Sequence, residues 1–183
     1  MATATELLLD GAREIGVKVS PSEAALLVRL VADVAAENVK WNLTAIEEPA
    51  AMIRLHVLDS LTALTVTEWR GQALDLGTGA GFPGLVLAVM LPDVEWLLID
   101  GRQKKAAWVA GEIGRLGLRN AEARGIRAEL LAQEPAQQHR YDRIVARAVA
   151  SLEQLLRWSW PLLAPGGQLI ALKGPAVEKE LGA

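Results

Sequence analysis

The sequence contains no cysteine, and this absence excludes several classes of protein. Disulfide bonds and thiolate metal sites are ruled out, which fits a reducing compartment. Only two histidines are present, and no set of His, Asp and Glu has the spacing of metal ligands, so we expect no metal. The chain also lacks a Gly-x-Ser-x-Gly nucleophile elbow and a phosphate-binding loop that ends in Gly-Lys-Ser/Thr.

Long uncharged apolar runs are missing as well. No stretch reaches the roughly 18 residues that a membrane-spanning helix needs. The first ten residues lack the basic start and apolar run of a signal peptide. We therefore expect a cytoplasmic protein without membrane contact. The 183 residues, of which 51% are hydrophobic and 22% are charged, suffice for one folded domain or for a domain with an extension.

The net charge of −3 conceals an uneven distribution. Residues 1–100 carry 14 acidic and 6 basic side chains, whereas residues 101–147 carry 10 basic and 5 acidic ones. A basic segment in an acidic chain is typical of a surface that contacts a polyanion, but it also fits a set of solvated helix faces. Charge alone favours the second interpretation.

Residues 1–67 are predicted to form a helical extension. Ser20, Pro21 and Glu23 are typical of a helix start, in which Ser20 caps the helix and Glu23 completes a capping box. A loop near residues 41–44 and a helix over about residues 49–64 follow.

The pattern over residues 68–183 is different, because short apolar runs alternate with helical segments there. This alternation predicts an α/β, Rossmann-like fold with a mostly parallel sheet and helices on both faces. In such sheets a ligand binds beyond the carboxyl ends of the strands. The predicted strands are 73–76, 95–99, 121–123, 143–146 and 168–172, and the predicted helices are 83–91, 103–116, 127–133 and 152–163.

The first predicted strand continues into a glycine-rich turn at residues 75–84, Asp-Leu-Gly-Thr-Gly-Ala-Gly-Phe-Pro-Gly. Glycines let the backbone approach a ligand closely, and the next helix directs its free amides at the same place. Asp100 ends the second strand, where a carboxylate can accept hydrogen bonds from both hydroxyls of a ribose. After the third strand, residues 124–129 offer backbone groups and an apolar edge to an adenine ring.

Asp75 separates two interpretations of this turn. The Gly-x-Gly-x-x-Gly pattern over residues 79–84 fits a dinucleotide site, but that match alone is weak. A carboxylate at position 75 would repel a pyrophosphate and attract a cation, such as the ammonium of a methionine moiety. The sequence therefore favours S-adenosylmethionine. In the alternative, Asp75 only caps the turn and the glycines serve packing.

Two cations stand at the ends of neighbouring strands, Arg147 after the fourth and Lys173 after the fifth. Together they suit a phosphate-bearing substrate. The alternatives are a salt bridge from Arg147 to a site carboxylate and a solvated Lys173. His56 and Asp59 lie three residues apart on one helix face, where a hydrogen-bonded packing pair is favoured over a catalytic base.

Several motifs, taken in order, resemble one family. They are Asn-Leu-Thr at 42–44, His-Val-Leu-Asp-Ser at 56–60, the turn at 75–84, Arg-Ala-Glu at 127–129, Ala-Arg-Ala-Val-Ala-Ser at 146–151 and Ala-Leu-Lys-Gly at 171–174. This set is similar to the small-subunit ribosomal RNA methyltransferase G family, also called glucose-inhibited division protein B. The resemblance covers about residues 40–175. That family continues beyond the Leu-Lys-Gly strand into two more strands, the last antiparallel, so we expect these carboxyl-terminal strands to be missing here.

The resemblance implies methylation of ring nitrogen seven of a guanine in bacterial 16S ribosomal RNA, with S-adenosylmethionine as the cofactor and the small ribosomal subunit as the partner. It implies that Gly77, Phe82, Ala128, Glu129 and Arg147 contact the cofactor, and that Asp100 is the acid that binds the ribose.

We accordingly predict a monomeric, cytoplasmic ribosomal RNA methyltransferase. Two other functions remain open: an NAD-dependent oxidoreductase that uses the same turn, and a non-catalytic nucleotide- or RNA-binding module. A third, a methyltransferase of the same fold that acts on a small molecule or a protein, is disfavoured by the basic segment 101–147 and by the family motifs. The predicted catalytic residues are Arg147 and Lys173, and the predicted cofactor-binding residues are Asp75, Gly77, Gly79, Phe82, Asp100, Ala128, Glu129 and Arg147.

Overall fold

The structure, a computed structural model, describes residues 2–174 and residue 177. Two capped helices open the chain, α1 (Ala4–Glu14) and α2 (Pro21–Asn38). The capping box predicted at the start of α2 is confirmed, because the Glu23 amide donates to Ser20 Oγ at 3.3 Å and the Ser20 amide donates to Glu23 Oε2 at 2.6 Å.

The prediction of one regular helix over residues 49–64 is wrong. The segment runs as α3 (Pro49–Met52), a π-helical turn (Ile53–Leu58), α4 (Asp59–Thr62) and a 3₁₀ turn (Ala63–Thr65). Part of the cause is local, because Ser60 Oγ donates to the His56 carbonyl and Thr62 Oγ1 donates to the Asp59 carbonyl. Such bonds compete with the regular α-helical pattern.

Five parallel strands form one sheet in the order β3-β2-β1-β4-β5. The chain order therefore reverses between β1 and β4, which is the switch point where ligands bind in such sheets. The predicted parallel α/β architecture is confirmed. The strands are β1 (Gln72–Leu76), β2 (Glu95–Ile99), β3 (Ala121–Arg124), β4 (Tyr141–Arg147) and β5 (Leu163–Leu172), and the helices between them are α5 (Gly84–Met90), α6 (Gln103–Leu116), α7 (Ala128–Leu131) and α8 (Leu152–Ser159).

The boundary between α8 and β5 differs most from its prediction. The helix ends at Ser159 instead of residue 163, and the strand begins at Leu163 instead of residue 168. Pro-Gly-Gly at 165–167 has the composition of a turn, but the strand carries it as an irregularity. Gly166 has a φ of 78°, and the register of β4 with β5 shifts nearby.

The sheet separates two clusters of buried apolar side chains. The larger one joins Leu27 and Leu61 of the first 67 residues to Val86 of α5 and Val109 of α6. The smaller one lies under α7 and α8. The segments before and after residue 67 thus share one core, and the extension reaches the carboxyl edge of the sheet from that side.

Two expectations concern the limits of the chain. Within residues 2–174 and 177, no helix is long and apolar enough to cross a membrane. The expected loss of carboxyl-terminal strands concerns positions after Gly174, which lie outside the described residues apart from Val177.

Candidate functional site

A cavity of about 640 Å³ opens at the carboxyl ends of β1, β2 and β4. The turn after β1 forms one wall, and Asp100 and Arg102 after β2 form the next. The extension closes the opposite side with Thr44 and His56. The structure therefore brings the predicted turn together with a part of the extension.

The turn needs glycine for its shape and for access. Gly77, Gly79 and Gly81 have φ angles of 74°, 58° and 91°, which side chains with a Cβ rarely adopt. A Cβ on Gly79 would meet nothing closer than a backbone oxygen 3.9 Å away, so the space above it is open. The amides of Gly77 and Thr78 donate to the Ile99 carbonyl at 2.9 and 2.8 Å, which ties the turn to β2.

Asp100 is held in place by the backbone around it. Its Oδ2 accepts the Gly79 amide at 3.0 Å and its Oδ1 accepts the Arg102 amide at 2.7 Å. A carboxylate oxygen can accept more than one hydrogen bond, so both oxygens keep capacity for a pair of hydroxyls.

A second cavity of about 250 Å³ adjoins the first and has mainly apolar walls. Gly77, Asp100 and Val149 border both cavities. Ala128 and Glu129 line the smaller one, together with Ile126 and Trp158. A flat apolar ring in the small cavity, a sugar at Asp100 and a charged chain in the large cavity would together match the shape of the space.

The structure places Asp75 differently from the prediction. Its side chain is fully buried beneath the turn, with Oδ2 accepting the Gly84 amide at 2.9 Å and Oδ1 lacking a hydrogen-bond partner among the described residues. Burial raises the pKa of Asp75 to about 6. Asp75 lines neither cavity, so the geometry favours the turn-capping alternative over a direct contact with an ammonium group.

Arg147 joins the end of β4 to the π-helical turn of the extension. Its Nη1 donates to the Leu55 carbonyl at 2.9 Å and to Asp59 Oδ2 at 3.2 Å, and its Nη2 donates to His56 Nδ1 at 2.9 Å. The guanidinium also lies 5.7 Å from the centre of the Phe82 ring. The alternative considered for Arg147, a salt bridge to a site carboxylate, is therefore present, with Asp59 as its partner. The expected hydrogen-bonded pair of His56 and Asp59 is wrong, because within the described residues the two side chains are hydrogen-bonded to Arg147 and not to each other.

The hydrogen bonds of His56 fix the position of its proton. A guanidinium can only donate, so we assign Nδ1 as the acceptor from Arg147 and place the proton on Nε2, which lies 2.8 Å from Thr44 Oγ1. Burial, together with the positive charge of Arg147, lowers the pKa of His56 to about 4. The ring also stacks on Phe82, with 4.7 Å between the ring centres. A neutral imidazole with both nitrogens engaged is not a general base.

Lys173 and Arg147 border a third cavity, of about 550 Å³, which lies on the other side of Arg147. Lys173 Nζ donates to the Ala150 carbonyl at 2.7 Å, and exposed Arg54 lies on the same cavity. The two cations predicted at neighbouring strand ends thus do face one space. Among the described residues, no group of three or more His, Asp and Glu could hold a metal ion.

The loop that carries Thr44 contributes to the cavity, although no role was predicted for it from the sequence. Asn38 Oδ1 accepts the amides of Leu43 and Thr44, each at 2.8 Å, and Lys105 of α6 donates to the Leu43 carbonyl at 2.9 Å. The loop is thereby fixed against the cavity. The only signal in the sequence was the Asn-Leu-Thr motif itself, which does not reveal its contacts.

Comparisons with solved structures agree on the fold. A SAM dependent methyltransferase from Aquifex aeolicus superposes with a TM-score of 0.55 at 21% identity, over 70% of this chain and 74% of that chain. A putative protein-L-isoaspartate O-methyltransferase from Plasmodium falciparum, solved with S-adenosyl-L-homocysteine, gives a TM-score of 0.55 at 15% identity, over 92% and 83%. The Rossmann-like methyltransferase fold is confirmed.

Sequence comparisons are more specific. A ribosomal RNA small subunit methyltransferase G from Deinococcus deserti is 44% identical over 98% of this chain and 74% of its own length. Another from Deinococcus radiodurans is 42% identical over 97% of this chain and 71% of its own length. The family model described as rRNA small subunit methyltransferase G matches residues 23–183. The chain therefore belongs to the rRNA small subunit methyltransferase G family.

Proposed function

We propose that this protein transfers a methyl group from S-adenosylmethionine to ring nitrogen seven of a guanine in 16S ribosomal RNA. The observation that carries the proposal is the pair of joined cavities with Asp100 at their junction and the open glycine turn beside it. The relatives, which are named as small-subunit ribosomal RNA methyltransferases, favour this activity over an NAD-dependent oxidoreductase and over a non-catalytic module.

The residues present fit the cofactor. Ala128 and Glu129 would border its adenine, Asp100 would accept from its ribose hydroxyls, and Gly77 and Gly79 would let its chain approach the backbone. When bound, S-adenosylmethionine supplies a methyl group on a positively charged sulfur. Phe82 and Arg147 would close the end of the large cavity where the RNA base arrives.

Methylation of ring nitrogen seven requires little acid or base catalysis. Ring nitrogen seven of guanine carries a lone pair and no proton, so no general base is needed. This agrees with His56, which is neutral and has both nitrogens engaged. The contribution of the protein is then alignment of the two reactants, which is worth at best about 7–11 kcal/mol.

Arg147 and Lys173 serve the RNA in this proposal. Both border the third cavity, where the exposed Arg54 adds a further positive charge for backbone phosphates. Because Arg147 also holds the π-helical turn, it acts mainly by shaping the wall between the cavities. We propose further that the protein works as a metal-free monomer in the cytoplasm, on the small ribosomal subunit.

The test combines activity with cofactor binding. The protein is incubated with labelled S-adenosylmethionine and undermethylated small subunits, and the RNA is analysed by nucleoside mass spectrometry; we expect 7-methylguanosine. Asp100→Ala should weaken S-adenosylhomocysteine binding about 10- to 100-fold in calorimetry, because hydrogen bonds to a charged group are lost. Asp93→Ala, on an exposed turn before β2, is the control. Wild-type protein that leaves the RNA unlabelled would refute the proposal.

A further inference from the structure

The hydroxyl oxygen of Thr44 already accepts hydrogen bonds within the protein, which limits how it can contact a ligand. Thr44 Oγ1 lies 2.8 Å from His56 Nε2, which carries a proton, and it accepts the Ile46 amide at 3.2 Å. Its two lone pairs are thereby engaged. Within residues 2–174 and 177, no acceptor is found for its own proton, and Thr44 lines the 640 Å³ cavity. The hydroxyl is a donor that faces the reaction space.

The surroundings hold Thr44 in this state. Arg147 forces the proton of His56 onto Nε2, and the Phe82 ring stacks on the imidazole and restrains its rotation. On the other side, Asn38 and Lys105 fix the backbone of the loop. Rotation of the threonine to present a lone pair to the cavity would cost a hydrogen bond to the half-buried imidazole of His56.

We propose that Thr44 selects guanine by donating a hydrogen bond to its O6, and that His56 is a positioning residue which keeps Thr44 a donor. The inference rests on the proposed methyl transfer and names the group that reads the base within it. O6 and ring nitrogen seven lie on the same edge of guanine, so a donor on O6 leaves the neighbouring lone pair free.

The selection against adenine follows from the same geometry. Adenine presents an amino group where guanine has O6. A free hydroxyl could turn and accept from that amino group, but the Thr44 oxygen has no lone pair left, so two donors would meet. A donor left without an acceptor in this way costs roughly 10- to 100-fold in discrimination.

The first experiment deletes each side of the proposed contact. Small subunits are reconstituted with guanine, 2-aminopurine or adenine at the methylated position; 2-aminopurine keeps ring nitrogen seven but lacks O6. For the wild type we expect kcat/KM to fall about 10- to 100-fold from guanine to 2-aminopurine. Thr44→Val should lose about the same factor on guanine and nothing further on 2-aminopurine. Thr44→Ser, which keeps the hydroxyl, should stay near wild type.

Three results would overturn the inference. In the first, Thr44→Val slows transfer equally on guanine and 2-aminopurine, which would make Thr44 merely structural. In the second, wild type does not distinguish these two bases. In the third, Thr44→Val weakens S-adenosylhomocysteine binding tenfold or more in calorimetry, which would assign the hydroxyl to the cofactor. Wild type that methylates none of the substrates would instead refute the proposed function.

The second experiment tests the positioning role of His56. His56→Ala frees a lone pair of Thr44, so the ratio of guanine to adenine turnover should fall about tenfold or more. His56→Gln, whose amide can still donate to Thr44, should keep most of that ratio. A structural role alone would lower turnover without changing the ratio, and that outcome would overturn the role of His56.

Nitrogen NMR of the imidazoles gives a readout that needs no activity. The chain has two histidines, so His139→Gln assigns the signals of His56 directly. We expect His56 to be neutral at pH 7 with its proton on Nε2. A charged ring, or a proton on Nδ1, would contradict the inference.

Discussion

Gly84 lies where α5 packs on β1, and it shows why the fourth glycine of the turn is needed. A Cβ there would lie 2.5 Å from Asp75 Oδ2 and 2.7 Å from Leu98 Cδ2. Both neighbours are buried and packed, so neither can move away cheaply. The glycine thus permits the contact between Asp75 and the start of the helix.

We therefore expect Gly84→Ala to destabilise the protein by about 1–3 kcal/mol through overpacking. Gly114→Ala is the matched control, because it lies on an exposed face of α6 with nothing within 4 Å of the added Cβ. That variant should gain about 0.5–1 kcal/mol from helix propensity. Urea unfolding of both variants measures the difference, and a neutral Gly84→Ala would show that the turn can relax.

Asp75 should make the free energy of unfolding decrease as the pH rises. Its pKa is raised from 3.8 to about 6 by burial, so the folded state binds the proton more tightly than the unfolded state. Stability from this group is fully present below the unfolded pKa of 3.8 and is lost as the pH rises through about 6.

Asp75→Asn should remove this dependence while its side-chain oxygen can still accept the Gly84 amide. Relative to wild type, we expect the variant to gain roughly 1–2 kcal/mol of stability between pH 5 and pH 8. Urea unfolding at the two pH values provides the comparison, and other titrating groups cancel in the difference. A constant difference between variant and wild type would mean that Asp75 titrates alike in both states.

The contact between α2 and α6 contains an unusual pair of acidic side chains, Glu112 and Asp33. The Glu112 side chain is fully buried, with one oxygen on Arg115 Nε at 2.7 Å and Oε1 without a partner among the described residues. Asp33 Oδ2 on α2 likewise lacks a hydrogen bond. Burial raises the pKa of Glu112, and Asp33 acts in the same direction.

Glu112→Gln should stabilise the protein by about 1 kcal/mol at pH 8, because an amide can donate to Asp33 without carrying charge. Glu122→Gln, an exposed change on β3, should be nearly neutral. Thermal unfolding at pH 8 distinguishes the two. A clear loss of stability in Glu112→Gln would show instead that the charge pair with Arg115 dominates this contact.

Elements with strong local signals were predictable from the sequence, and elements shaped by distant partners were not. The pattern of apolar residues predicted α6 and β2 to the residue, because their apolar spacing agrees with their burial. The π-helical turn could not be predicted, since part of its cause is Arg147, which lies 92 residues away from Leu55 along the chain. Local propensity carries no information about such a contact.

The residues of the site also fall into those that the sequence predicts and those that it does not. The glycine turn and Asp100 follow from strand ends, which parallel topology brings together, so residue type and position sufficed. Asp75 was placed at the turn correctly, but its orientation depends on the strand pleat and on the packing of α5. The positions of Thr44 and Lys105 at the cavity depend on how the extension packs, which local sequence patterns do not show.

The basic residues of the segment 101–147 lie in different parts of the folded molecule, although they are close together in the sequence. Within residues 101–147, Arg115 and Arg124 are paired with Glu112 and Glu134. Arg119 and Arg140 border a cavity at the opposite edge of the sheet, by the amino end of β2. The basic segment is therefore a mixture of solvated faces and a smaller group of cations around the site.

RNA binding should depend on the cations beside the site and not on those at the opposite edge. Arg127 borders the smaller cavity and Arg54 borders the third cavity; both are exposed. If each contacts a phosphate, the double variant Arg54→Ala/Arg127→Ala should weaken binding to small-subunit RNA and reduce the slope of log affinity against log salt by about 2. The matched variant Arg119→Ala/Arg140→Ala removes the same charge from the far edge and should leave that slope unchanged. Filter binding across a series of salt concentrations measures both slopes. An equal reduction in the two variants would mean that net charge, and not its position, attracts the RNA.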